Sequence, residues 1–192
     1  MATNDVLLKT GTQISFADHA TDFSGGAAKT SVEQAGATDV QVDLTGLVAG
    51  AGRESAKFDF GATRARNYSI MASLEFATAP VTGEVVSFYL VPSNDATAAN
   101  GNPQSIDGVD AAAPSGHSTL AELIAASMWI GSFVCSADAT TTVQTAWCGS
   151  FRPPTRHGIL LVVNDTSDAI HSDAVECNIV FDPNVDEIQA AV

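Results

Sequence analysis

From residue 40 onward this chain places apolar residues at every second position, and that period of two limits what it can fold into. Val40, Val42 and Leu44 alternate with Gln41 and Asp43, and Ala56, Phe58 and Phe60 alternate with Lys57 and Asp59. Tyr68, Ile70, Ala72, Leu74 and Phe76 continue the pattern against Ser69, Met71, Ser73 and Glu75. A helix needs a period near 3.6. Strand side chains point alternately to two faces, so these segments predict strands with one buried and one wet face. Val85–Val91, Met128–Cys135 and His157–Val163 are apolar almost throughout, and His157–Val163 is the expected central strand. Val175–Phe181 alternates again. In Val143–Phe151, strict alternation puts Val143, Thr145, Trp147, Gly149 and Phe151 on one face and leaves Cys148 on the other.

Turn-rich breaks such as ADATT, RPPTR and NDTSD separate these runs. About eight strands result, so the expected fold is all-β, an antiparallel two-sheet β-sandwich for which a jelly roll is the natural arrangement. Residues 92–117 read as a long loop of the kind that carries function. Ser118–Ala126 predicts one short helix, with Ser118 or Thr119 as cap and Glu122 in its first turn. Residues 1–35 are expected to be an irregular N-terminal arm with short strands at Val6–Leu8 and Ile14–Phe16 and a loop around Gly25-Gly26. Residues 36–192 form the expected single sandwich domain. No internal repeat is found.

The charge balance narrows the choice of partners. Twenty-two acidic residues face eight Lys and Arg, a net charge of −14. Phosphate backbones and anionic lipid surfaces are bound through Lys and Arg, so neither nucleic acid nor membrane is an expected partner. No run approaches the roughly 20 apolar residues needed to span a bilayer. The N-terminal MATNDVLLKTG lacks a basic region followed by an apolar one, so no secretory signal is expected. Between Asn67 and Phe151 there is no Lys or Arg. The cations gather at Arg53, Lys57, Arg64 and Arg66, with a second pair at Arg152 and Arg156. These six are the expected partner-contact residues, against the plainer reading that they pair with local carboxylates.

No catalytic pattern stands out. The histidines (His19, His117, His157, His171) show no zinc spacing, and the three cysteines show no C-x-x-C, so buried free thiols are expected. His171-Ser172-Asp173 holds the letters of a triad, but three sequence neighbours do not make triad geometry. Asp95, Asp107, Asp110, Asp165 and Asp168 could supply oxygen ligands to calcium, although none sits in an EF-hand loop, and no cofactor is expected. Trp129 and Trp147 fall within predicted strands and are expected in the core, whereas a sugar platform would need them exposed. Arg152-Pro153-Pro154-Thr155-Arg156 reads either as a rigid corner or as a basic clip for an acidic neighbour.

One resemblance adds to this reading. The order Gly131-Ser132-Phe133, then Gly149-Ser150-Phe151-Arg152-Pro153-Pro154-Thr155-Arg156-His157-Gly158, then Asn164-Asp165-Thr166-Ser167, then Asp186-Glu187-Ile188, resembles small virion structural proteins of tailed bacteriophages. These are head-decoration (cement) or minor capsid-associated proteins, and the similarity covers roughly the C-terminal half. The resemblance implies a non-enzymatic protein on the virion surface, made in the host bacterial cytoplasm, that stabilises the head by bridging capsid subunits. Its implied partners are the major capsid protein and itself, as a homo-oligomer for which a trimer is one candidate. The rival reading is a carbohydrate- or receptor-binding sandwich of a tail fibre or baseplate that uses the 92–117 loop. A jelly-roll glycan hydrolase is the third.

Overall fold

The computed structural model describes residues 12–21, 23, 36–62, 64–116, 119–138, 142–172 and 177–184. Val6–Leu8, Gly25-Gly26, His117, Ser118, Asp173 and Asp186–Ile188 lie outside them. The described chain is all-β apart from one short helix. Its strands are β1 (Ile14–Ala17), β2 (Thr38–Gln41), β3 (Gly52–Glu54), β4 (Phe58–Asp59), β5 (Asn67–Leu74), β6 (Val85–Ser93), β7 (Ala111–Ala113), β8 (Met128–Val134), β9 (Gln144–Phe151), β10 (His157–Asn164) and β11 (Asn178–Asn184). Helix α1 (Leu120–Ala125) precedes β8. Thr119 caps it, and the Glu122 side chain accepts from the Thr119 backbone to complete a capping box.

The strands form two sheets packed as a sandwich. One runs β2-β1-β11-β5-β9 and the other β7-β3-β10-β6-β8, with β4 pairing the start of β10. The long pairs are nested and antiparallel: β1 with β11, β3 with β10, β5 with β9, and β6 with β8, in alternate sheets. Ile14–Phe16, expected as a short strand in an arm, is buried and is built into the first sheet beside Phe181.

Phe181 anchors the core between the sheets. Its ring lies 4.7 Å from Phe16 and 4.9 Å from Phe151, both edge-on, and Phe60 stacks on it at 6.4 Å. Ile70, Leu74, Val86, Phe88, Leu90, Leu160 and Val162 fill the remaining space.

The continuous apolar run of β10 has a direct cause. Leu160 and Val162 face the core between the sheets, while Ile159, Leu161 and Val163 face outward into a second core with Ile106 and Leu123. Of residues 92–117, expected as a loop, Pro92 and Ser93 end β6 and residues 94–116 supply much of that cover. They hold a 3-10 turn at Pro103–Ser105 and the edge strand β7, and Ile106 is fully buried. Burying Ile106 against β10 keeps the segment on the sheet, because apolar area removed from water outweighs a few added residues of loop closure.

At the opposite edge the two sheets close on each other through β8 and β9. The Gln144 side chain accepts from the Ser136 amide at 2.8 Å and donates to the Ser136 carbonyl at 2.9 Å. Further along, Gly131 meets Gly149, so the two strands run antiparallel across the seam. A Cβ on Gly131 would stand 2.3 Å from the Cys148 carbonyl oxygen. One on Gly149, whose φ is +150°, would stand 2.8 Å from the Ile130 carbonyl oxygen. Both neighbours are backbone atoms and cannot swing away. Gly131→Ala is therefore expected to lower the urea midpoint, costing on the order of 1–3 kcal/mol as overpacking does. Ser132→Ala, at the next and outward-facing position, should stay within about 0.5 kcal/mol of wild type. Equal effects at the two positions would contradict the close approach.

Candidate interaction surface

The seam between β8 and β9 carries a feature that strict alternation misplaces. Trp129 and Trp147 are not core residues: they are 61% and 64% exposed. The reason is a pair of bulges. In β9, Ile70 pairs with Gly149 but Met71 with Trp147, so Cys148 is an extra residue; in β8, Phe88 pairs with Gly131 but Tyr89 with Trp129, so Ile130 is extra. An extra residue shifts every later side chain to the other face. Cys148 and Phe151 thus both point inward, and Trp147 points out.

The two bulges are copies of each other. Trp129-Ile-Gly-Ser-Phe133 and Trp147-Cys-Gly-Ser-Phe151 share all but the second residue, a short internal repeat that corrects the expectation of none. Each copy exposes its tryptophan, uses its glycine at the seam and buries its phenylalanine. Neither strand contains an ionisable side chain apart from the buried Cys148. Beside the indoles the outer surface offers Ser132, Val134, Thr145 and Ser150, and Ser132 Oγ already accepts the Trp129 indole N–H at 3.2 Å.

Several expected contact cations are occupied within the chain. Arg53 Nε lies 2.6 Å from Asp110 Oδ1, with Asp43 at 4.0 Å. Lys57 Nζ donates to the carbonyls of Thr97 and Asn100, both at 2.6 Å, and of Asp95 at 3.2 Å, clamping the start of the cover segment. Arg156 forks onto Asp59 at 2.9 and 2.6 Å, and this guanidinium holds the Asp59 carboxyl below the ordinary aspartate value. Arg64 is half-buried and Arg66 exposed. Arg152 is exposed and forms no ion pair among the described residues, while its neighbour Pro153 is buried. The RPPTR connection thus combines an anchored arginine with an open one.

The acidic loop residues also serve local structure. Asp95 accepts from the Thr97 amide and Asp107 from the Val109 amide, Asp165 accepts from Ser87, and Asp168 accepts from Thr78. Among the described residues no three His, Cys, Asp or Glu side chains converge in a way that could hold a metal. The three thiols are buried, and burial pushes Cys135 up to about 11 and Cys148 up to about 12, which keeps both protonated and unreactive.

No motif marks Glu54, yet it is fully buried on β3 and pairs with no cation among the described residues. It accepts from the Ser115 amide at 2.8 Å and the Ser115 hydroxyl at 2.7 Å, tying the end of the cover segment to the sheet. Compared with known proteins, the chain matches no family model and no curated protein.

Burial raises the Glu54 carboxyl above its ordinary 4.5, the Ser115 hydrogen bonds oppose that rise, and the Asp107 charge adds to it. A raised carboxyl binds its proton more tightly in the folded state. Its contribution to stability is complete below pH 4.5 and is lost as pH climbs through the raised value. Glu54→Gln should remove this component. Thermal melts from pH 4.5 toward neutrality should show a fall in the wild type that the variant lacks, and parallel curves would contradict the assignment.

Proposed function

We propose that this protein is a non-enzymatic structural component of a virion, a head-decoration (cement) protein that stabilises a phage head by bridging neighbouring capsid subunits. The observation that carries the reading is the uncharged corner with two exposed tryptophans on a body of net charge −14. Contact surfaces are depleted of charge at their centres and enriched in aromatics, and Trp is the side chain most often found to dominate binding energy. The nested strand pairs support the finer reading of the sandwich as a jelly roll, an architecture that viral capsid domains share with lectins and cupins. On this reading the protein is made in the host bacterial cytoplasm and ends on the virion surface, with the major capsid protein and itself as partners. Many weak repeated contacts on one shell supply stabilisation through avidity.

One observation also favours the carbohydrate- or receptor-binding reading: the exposed indoles lie among hydroxyls, as a sugar platform requires. Two assays separate the readings. The decoration reading expects the purified protein to co-sediment with expanded phage heads, to be placed on the head by electron microscopy, and to give no signal on a glycan array. Glycan binding without head binding would replace it with the second reading.

A further inference from the structure

We infer that the Trp129/Trp147 corner is a self-association face, and that the partner covering it is a second copy of this chain. The inference deepens the structural reading above and rests on its claim that the corner contacts protein.

Charge selects the occupant. Each copy carries −14, so two copies repel over most of their surfaces. β8 and β9 supply no charged side chain, and a second acidic body meets the least repulsion there. A basic partner would gain more by approaching the acidic faces than this one. A glycan is a poorer match too. Beyond the rings the corner offers Val134 and three hydroxyls, of which Ser132 is engaged by Trp129 and Thr145 by Ser73, and no carboxylate or carboxamide points outward from either strand.

Symmetry supports the same occupant. The two Trp-x-Gly-Ser-Phe segments run antiparallel through the glycine contact and are related by a local two-fold. Each tryptophan lies two residues from its glycine, and because β8 and β9 are antiparallel the two indoles stand on opposite sides of the crossing, each bulge compressing that two-residue step to one residue of the neighbouring strand. An isologous dimer pairs a patch with itself, residue i on j and j on i. A patch that repeats one recognition element about a two-fold meets that demand with equivalent contacts at both ends. The backbone approach at Gly131 and Gly149 fixes both tryptophans in advance, which lowers the ordering cost of association.

Sedimentation velocity on the full chain tests the inference. The wild type is expected to self-associate reversibly and more tightly as NaCl is added, because salt screens the repulsion between the bodies while leaving the uncharged contact intact. The Trp129→Ala/Trp147→Ala double variant should weaken association by at least about tenfold with its circular dichroism unchanged. Thr145→Asp, which adds a charge at an exposed position of the same corner, should weaken it without removing either indole. A wild type that is monomeric at every concentration, or variants that associate like the wild type, would overturn the inference. Head binding is scored in parallel. Its absence in the wild type counts against the decoration reading alone, whereas an unchanged sedimentation pattern in the variants counts against self-association alone.

Discussion

The backbone contact between Gly131 and Gly149 joins the two sheets along one corner, and the rest of the surface geometry depends on it. Side chains can hold two sheets about 10 Å apart, but only glycines let the strands themselves touch. Here each glycine faces the carbonyl of the residue before the other. The approach needs both edge strands to bend, and the extra residues Ile130 and Cys148 provide the bend. The same bulges turn Trp129 and Trp147 outward. One local device thus closes the core, protects two strand edges and exposes both tryptophans.

At the other side of the second sheet the opposite strategy operates. Residues 94–116 and α1 lie flat over β10 and β6, and their apolar contribution is modest: Ile106, Leu123 and their neighbours. Polar tethers complete the attachment. Lys57 satisfies three carbonyls at one end, Arg53 holds Asp110 in the middle, and Glu54 holds Ser115 at the other. These tethers explain why so many side chains with functional letters have structural partners. Arg53 and Lys57, two of the expected contact cations, are thereby engaged within their own chain.

Much of the fold was legible because it follows from periodicity. The run from His157 to Val163 is apolar on both faces since each face meets its own core, and Thr119 with Glu122 marks the helix start by pure capping chemistry. Two things escaped that logic. β3 and β7 are three-residue strands, too short for alternation to register, and they exist because the cover segment pairs with the sheet edge. The tryptophans escaped because strict alternation from Thr145 to Phe151 assumes an unbroken strand, and one inserted residue at Cys148 reverses the assignment of Trp147. A signal for the bulge was present in the sequence, since Trp-x-Gly-Ser-Phe occurs twice and glycine inside a strand marks a bulge or a close backbone approach. Hydrogen-bonded tethers such as Glu54 with Ser115 join positions 61 residues apart and leave no local trace.

Because Trp129 and Trp147 are the only two tryptophans in the chain, indole fluorescence, excited at wavelengths the two tyrosines do not absorb, reports on the corner alone. The most direct test is acrylamide quenching of that fluorescence over a series of protein concentrations. If both indoles project from the seam and a second copy covers them, quenching in the most dilute samples should approach that of free tryptophan and should fall as concentration rises. A low quenching constant that is the same at every concentration, the behaviour of two tryptophans packed in the core, would contradict the account.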